Sequence, residues 1–314
     1  MKLARPDVFH PRLVLAGCRQ LVEGDGDDAG LVPALRRRGL HAKWLSWDDP
    51  GTLRADAVIL RATWEYADRL DEFLAWTIAV PHLLNAPEVV AWNADKSYLL
   101  DLARRGVPTV PTEVFASAER VRLPAAPEVV IKPVTGAGSV GAQRFTDHDL
   151  ALAHAAALQD DGRGVLVQPY DDRVEQAGET ALVFLGGKAS HAFTKAAMLP
   201  PQGKHVEMDA TGTYAVETLA PAEPDFEIWD VGFAALDAAA AQLNVTTRDF
   251  LYARADLIGG IDNPRLLELE LIEPSLGWRQ LDRRTRELQQ REFARTLASA
   301  LDRLGLGPLS HRRP

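Results

Sequence analysis

The sequence predicts an α/β protein that begins with a small doubly wound unit and continues into a larger α+β region. Strand-like and helix-like segments alternate over the first 93 residues, and residues 57–60 form a continuous apolar run, as in a parallel strand covered on both faces. From about residue 94 the pattern changes to short strands separated by few helices. A length of 314 residues fits two domains or one large mixed fold.

The composition of the chain excludes several classes of partner and binding site. The chain has 35 Lys+Arg against 44 Asp+Glu, a formal net charge of −9, so nucleic acid and acidic membranes are poor partners. One cysteine excludes an internal disulfide and a cysteine-rich zinc site. Residues 15–18 imitate a lipoprotein cleavage box, but charged residues and prolines interrupt the apolar stretch before it. No window reaches the ~18 apolar residues of a spanning helix, and we expect a cytoplasmic protein.

The first unit follows a strand–helix order that ends near Asn93. Gly39 marks the stop of its first helix, and Pro81 closes its last one. In chain order we predict a strand over 12–16, a helix over 29–38, strands over 41–45 and 57–60, and a helix over 68–79.

The second region begins with a helix capped by Asn93 or Asp95 and stopped by Gly106. Prolines then keep residues 107–112 extended, and residues 200–224 are polar and unpatterned, which indicates a long loop. We predict strands over 128–133, 142–145, 164–168, 180–185, 189–195, 250–258 and 265–272, helices over 149–158, 229–243 and 283–304, and a frayed tail over 310–314.

A glycine-rich segment, residues 136–141, matches the G-x-G-x-x-G pattern. That pattern indicates a dinucleotide fold only when a helix opens on it, and here a short strand follows instead. The segment therefore joins two strands and lets backbone N–H groups approach phosphate oxygens. Protein kinases place their strand lysine after such a loop, whereas Lys132 precedes this one, so a kinase is disfavoured. A simple tight turn is the alternative.

Two lysines strengthen the phosphate interpretation. Lys132 lies within an otherwise apolar strand, where an unpartnered ammonium is expensive to bury. Lys96 lies at the first turn of its helix, the end that disfavours a cation. Both fit a clamp for a polyphosphate, and the alternative is that both are surface lysines with extended stems.

Acidic residues share one face of a predicted strand. Glu268 and Glu270 alternate with leucines, and the preceding strand offers Arg254 and Asp256 on one face. If the two strands are antiparallel neighbours, the three carboxylates form a site for Mg²⁺, and Arg254 neutralises a phosphoryl group or carboxylate. The alternative is a solvated sheet face.

In order and spacing, these features resemble the ATP-grasp ligase family from about Asn93 onward. The resemblance implies two α+β lobes that clamp ATP behind a smaller doubly wound N-terminal domain, with boundaries at 1–93, 94–178 and 179–314. The matching stretches are 93–96, 106–112, 131–141, 165–170, 253–256 and 267–270.

The resemblance also implies residue roles. Lys96 and Lys132 contact phosphates, and Glu179 binds the ribose, with Glu175 as substitute. The glycine segment covers the phosphates through Gly136, Gly138, Ser139 and Gly141, and the interlobe hinge at Gln168, Pro169 and Tyr170 reads adenine.

The same resemblance implies a metal and catalytic set. Arg254, Lys96 and Lys195 are catalytic, and Asp256, Glu268 and Glu270 hold Mg²⁺, expected as two ions. One departure is that Glu270 stands where the family usually has Asn, so either Glu270 tightens the site or the register shifts toward Glu273.

Within the family the chain is most similar to ligases that form D-cycloserine by cyclising O-ureido-D-serine, at residues 60–66, 91–93, 190–195 and 270–276. That similarity implies substrate contacts from Arg61, Trp64, Tyr66 and Ser275, although Trp64 and Tyr66 also fit interdomain packing.

The implied function is ATP-dependent activation of a carboxylate as an acyl phosphate, followed by C–N bond formation in antibiotic biosynthesis. The partner is a small amino-acid-like substrate, residues 200–214 form a lid, and His191 has no assigned role. A dipeptide or glutathione-type ligase with two substrates and a nucleotide-binding regulatory module without turnover remain alternatives, and a homo-oligomer remains open.

Overall fold

The computed structural model describes residues 10–204 and 206–307, which contain three β-sheets and eight α-helices. The tail predicted to fray, 310–314, lies outside the described residues. None of the described helices combines the length and apolar character needed to cross a bilayer.

The N-terminal sheet confirms the doubly wound start. Its strands are parallel, in the order β2-β1-β3-β4. Side chains alternate between its faces: Leu13 and Leu15 pack with one cluster, and Val14 packs with Phe73 and Trp76 on the other face. The elements are β1 Arg12–Gly17, α1 Leu31–Arg37, β2 His41–Ser46, β3 Ala57–Ala62, α2 Leu70–Ala79, β4 Leu83–Leu84 and α3 Pro87–Asn93.

A small antiparallel sheet follows, in the order β5-β8-β6-β7, with α5 covering one face. Phe115, Ile131 and Ala155 lie in its core. The elements are α4 Tyr98–Arg104, β5 Glu113–Phe115, β6 Val129–Pro133, β7 Gln143–Phe145, α5 His148–Asp160 and β8 Val165–Pro169.

The third sheet is antiparallel, in the order β11-β10-β9-β12-β13. Alternation on β9 sends Leu182 and Phe184 toward α7 and sends Ala181 and Val183 toward α8. The elements are α6 Val174–Ala177, β9 Glu179–Leu185, β10 Lys188–Lys195, β11 Leu219–Ala222, α7 Phe226–Leu243, β12 Tyr252–Ile258, β13 Arg265–Glu270 and α8 Arg283–Arg303.

The sequence analysis does not predict four of the short elements, which are β4, α3, β5 and α6. Two more differences concern β11 and the start of α4. β11 lies inside the predicted loop 200–224; it is an edge strand, where Pro221 costs no ladder hydrogen bond on the open side. The helix α4 begins at Tyr98, and neither predicted cap contacts its first turn as an N-cap. Asp95 Oδ1 accepts from the Ser97 N–H at 2.8 Å, one residue before the helix.

Asn93 has a different role from the predicted cap. Its side-chain amide donates to the Leu269 carbonyl at 2.8 Å and accepts from the Leu271 N–H at 2.7 Å. Asn85 bonds Leu271 in a similar way, donating to its carbonyl at 2.7 Å. Buried amides therefore attach the end of the N-terminal unit to the large sheet, which fixes the wall of the site described next.

Candidate active site

A cavity of about 430 Å³ opens where the three sheets meet. Both Lys132 of β6 and Glu268 of β13 line it, so the predicted phosphate-binding lysine and the predicted acidic strand open onto the same cavity. The other predicted residues on its wall are Trp64, Tyr66, Lys96, Gly136, Gly138, Ser139, Gln168, Pro169, Tyr170, Glu179, Lys195, Arg254, Glu270 and Ser275; Arg61, Gly141 and Asp256 are not on the wall.

The ammonium group of Lys132 is unpaired within the part of the chain that the structure describes. Among the described residues no hydrogen bond or ion pair reaches its ammonium group, although it is surrounded by protein. Burial, reinforced by Lys96 and Lys195, lowers the pKa of Lys132 to about 8. Lys96 differs, because its ammonium pairs with Glu268, whose charge offsets the effect of burial and raises the Lys96 pKa.

The glycine segment joins β6 to β7, as predicted. Gly138 has φ +59°, and a Cβ there would lie 3.1 Å from the Tyr214 Cα. The Ala215 N–H donates to the Gly138 carbonyl at 3.3 Å, so the end of the predicted lid lies on this turn. Gly141 does not reach the cavity; its carbonyl accepts from the His154 ring at 2.9 Å, and its φ of +78° shapes the turn instead.

One end of the cavity is apolar. Gln168, Pro169 and Tyr170 border it, and Gln168 is oriented by a 2.9 Å hydrogen bond to the Thr112 hydroxyl. The apolar walls are Val110, Val130, Val174, Ile258 and Leu267.

The two candidate residues for binding the ribose, Glu179 and Glu175, differ in their position relative to the cavity. Glu179 is buried on the cavity wall and pairs with Lys195 at 2.8 Å. Glu175 is absent from the wall; it accepts from the Tyr170 hydroxyl at 2.7 Å and pairs with Arg144, which stacks over the Tyr170 ring. Glu175 therefore positions Tyr170 from outside the cavity, whereas Glu179 lines it.

β12 and β13 are antiparallel neighbours, with Arg254 opposite Glu270 and Asp256 opposite Glu268, as the sequence predicts. Asp256, however, is fully buried. Lys195 Nζ reaches its Oδ2 at 2.7 Å, and Arg254 Nε reaches its Oδ1 at 2.8 Å. Burial opposes ionisation of Asp256, but the two cations lower its pKa to about 2.

The predicted three-carboxylate metal site is therefore not assembled. Across 10–204 and 206–307, no three acidic, histidine or cysteine side chains are arranged to hold an ion together. Asp256 instead acts as the counter-ion that holds Lys195 and Arg254 at the cavity.

Glu268 and Glu270 are still suitable as ligands of a hard divalent cation. Their side chains are about one quarter exposed, at 25% and 28%, and both line the cavity. Burial, together with Asp256 and Glu268, raises the pKa of Glu270 to about 7 even though Arg254 opposes the shift. A divalent cation between carboxylate oxygens would relieve this repulsion, so the donor set fits Mg²⁺.

The opposite end of the cavity is formed by aromatic and charged residues. Trp64 and Tyr214 have ring centroids 4.9 Å apart, which places the lid segment against the N-terminal domain. Asp25 and Arg279 also line this end and pair with each other. Neither residue is evident from the sequence, because a loop aspartate gives no signal until the fold brings its partner close.

Arg61, a predicted substrate contact, does not line the cavity. It is 2% exposed, pairs with Asp28 at 3.0 Å, and donates from Nη2 to the Pro274 carbonyl at 2.9 Å. The position of Arg61 at a strand end was predicted, but its ion pair with the buried carboxylate of Asp28 was not.

Arg61 belongs to a larger arrangement around residues 272–276, which we call the strap. Each of its five carbonyls accepts from a side chain on another element. The donor–acceptor pairs are Tyr252–Ile272 (2.8 Å), Trp64–Glu273 (3.3 Å), Arg61–Pro274 (2.9 Å), Arg254–Ser275 (2.9 Å) and His191–Leu276 (2.6 Å). His191, for which the sequence gave no role, is therefore a structural donor through Nε2.

The sequence and structure comparisons agree with one another. The family profile for the N-terminal domain of D-cycloserine synthetase DcsG matches residues 13–85. The cycloserine biosynthesis protein DcsG of Streptomyces lavendulae is 38% identical over 273 residues, covering 80% of this chain and 88% of that protein.

Solved structures extend the likeness to the whole fold. A crystal structure of D-cycloserine synthetase DcsG has a TM-score of 0.80 and 34% identity, covering 92% of this chain and 99% of the other. A D-alanine–D-alanine ligase from Bacillus anthracis in complex with ATP has a TM-score of 0.63 at 13% identity, covering 94% and 98%. At that identity the likeness shows the fold alone, and further matches of this kind are described as ATP-grasp ligases.

Proposed function

The chain belongs to the D-cycloserine synthetase family of ATP-grasp ligases, and on this premise we propose that it cyclises O-ureido-D-serine to D-cycloserine at the expense of ATP. The observation that carries the proposal is the single cavity shared by Lys132, the glycine segment, Glu268 and the aromatic end. One end fits a nucleotide and the other fits a small polar molecule.

The nucleotide would lie along one wall of this cavity. Its base fits the apolar end beside Gln168 and Tyr170, and Glu179 is placed for the ribose. The phosphates then reach Lys132, the one cavity lysine that has no carboxylate partner among the described residues, and the backbone of Gly138. We retain 94–178 and 179–314 as the proposed nucleotide-binding lobes.

Glu268 and Glu270 would hold Mg²⁺, with two ions as our expectation. When bound, the metal neutralises charge on the phosphate oxygens during transfer. Lys96, paired with Glu268, is brought near the same phosphates, while Asp256 keeps Arg254 aimed at the cavity.

The chemistry has two stages. The substrate carboxylate attacks the γ-phosphorus and gives an acyl phosphate and ADP; the nitrogen next to the ether oxygen of the ureido group then attacks the acyl carbon and displaces phosphate. Hydrolytic loss of the carbamoyl group as CO₂ and NH₃ balances the conversion to D-cycloserine. Lys132 and Arg254 supply fixed positive charge where the acyl phosphate forms.

Water must be kept from the acyl phosphate. Tyr214, the last residue of the predicted lid 200–214, lies against Gly138 and Trp64, which supports a position of this segment beside the cavity. We therefore propose that this segment excludes water during turnover.

The test is Mg-ATP-dependent ADP release with O-ureido-D-serine as the sole acid. Formation of D-cycloserine and transfer of ¹⁸O from the labelled carboxylate to phosphate are expected. A requirement for a second amino acid would instead indicate intermolecular ligation, and ADP release without any acid would favour the regulatory module.

A further inference from the structure

One buried acidic side chain on the cavity wall, that of Glu273, has no ionic partner; among the described residues the partly exposed Glu217 is the other wall carboxylate without one. Glu273 is 8% exposed and lines the cavity, and among the described residues its carboxyl group makes no hydrogen bond or salt bridge. The four acids of the predicted ribose and metal sites are all paired: Glu268 with Lys96, Glu270 with Arg254, and Glu179 and Asp256 with Lys195.

Glu273 is held in place by its backbone. Its carbonyl accepts from Trp64, and the next two strap carbonyls are bonded by Arg61 and Arg254. These bonds position the backbone that carries the Glu273 side chain at the cavity wall. Burial, with the charges of Glu270 and Glu268, raises the pKa of Glu273 well above its usual range, as expected for a carboxyl group that lacks a cation.

The surroundings of Glu273 indicate which kind of cation this carboxyl group would bind. Trp64 and Tyr66 line the same end of the cavity, and Tyr66 is 4% exposed with no hydrogen-bond partner for its hydroxyl among the described residues. Aromatic side chains and one carboxylate suit an organic ammonium group, whereas Mg²⁺ requires several oxygen ligands and retains water.

We propose that Glu273 binds the α-ammonium group of the amino-acid substrate, with Trp64 and Tyr66 completing the subsite. This inference rests on the proposed function, because it takes the substrate to be an amino acid whose carboxylate lies near Arg254. The strap brings the two together, since Arg254 bonds the carbonyl of Ser275, two residues after Glu273. One segment thus aligns the ammonium end with the reacting carboxylate.

The experiment compares two acids that differ only in the amino group: O-ureido-D-serine and 3-(ureidooxy)propanoate. The wild type should prefer the amino acid in kcat/KM for ADP release by about 10- to 100-fold, the range expected for a charged hydrogen bond. Glu273→Gln should remove this preference through KM, with the KM for ATP and the half-saturating Mg²⁺ concentration unchanged. Glu273→Asp, which keeps the charge, should restore part of it.

A matched control is Glu113→Gln, which neutralises an exposed carboxylate on β5 away from the cavity wall and should leave the preference intact. An unchanged preference in Glu273→Gln overturns the assignment. A raised Mg²⁺ requirement with an unchanged preference also overturns it and makes Glu273 a metal ligand.

Failure of the proposed function gives a different result. If the wild type releases no ADP with O-ureido-D-serine, the same comparison is made with a panel of amino acids and their desamino analogues. Loss of preference in Glu273→Gln for whichever amino acid supports ADP release upholds the ammonium subsite. No response to any amino acid overturns both proposals.

Discussion

ATP binding should place a proton on Lys132. The free protein holds this lysine at a pKa of about 8, because burial and two neighbouring lysines disfavour its charge. A triphosphate next to it favours the charged form, so the pKa rises and the bound state takes up a proton. At about pH 8.5 roughly three quarters of the lysines are neutral before binding, so uptake should approach ~0.75 proton per ATP; at about pH 7 it should fall below ~0.1.

The assay is titration calorimetry of Mg-free ATP in two buffers that differ in ionisation enthalpy, since the difference in heat reports the protons exchanged. Lys132→Arg is the matched variant, because a guanidinium keeps the charge and does not titrate in this range. Proton uptake should disappear in that variant. Equal uptake in wild type and Lys132→Arg, or none in the wild type at about pH 8.5, would refute the assignment of Lys132 to the phosphates. Lys132→Ala should lose nucleotide binding.

Three further predictions address the fold, the glycine segment and the acidic strand. Arg61→Met should destabilise the protein by about 3 to 5 kcal/mol in urea unfolding, because Asp28 is left buried and unpaired. Asp28→Asn in the same chain should recover part of this loss, and a cost below ~1 kcal/mol for the single change would contradict the argument. Gly138→Ala should weaken ATP binding about 10-fold, because a Cβ combines a positive φ with a close backbone contact. Gly162→Ala, with φ +79° and nothing within 4 Å, has the same backbone penalty and should bind ATP normally. Glu268→Gln should lower kcat by about 100-fold or more while changing the dissociation constant of Mg-free ATP less than ~5-fold; a larger loss of ATP affinity than of turnover would argue against a metal role.

Much of the fold follows from local patterns. The parallel strand β3 was evident from its apolar run, and a strand after Gly141 distinguished this glycine segment from a dinucleotide fingerprint. Strict alternation in β13 correctly placed Glu268 and Glu270 on one face, opposite Asp256 and Arg254. These are properties of neighbouring residues, which a sequence displays directly.

The residue roles that could not be predicted from the sequence depend on contacts between residues that are distant along the chain. Arg61 seemed available for a substrate until Asp28, 33 positions earlier, occupied its guanidinium. Asp256 seemed available for a metal until Lys195 and Arg254 neutralised it. Alternation assigns a side chain to a face, but which counter-ion it meets there is decided by the packing of separate sheets.

Protein engineers who recombine members of this family should expect the strap to resist exchange. The five donors that hold its carbonyls are Arg61, Trp64, His191, Tyr252 and Arg254, spread over nearly two hundred positions. A chimera that imports residues 272–276 alone would lose the side chains that shape them. Altered substrate choice would have to be sought by substituting single residues on the existing backbone, or by moving the donors and acceptors as one set.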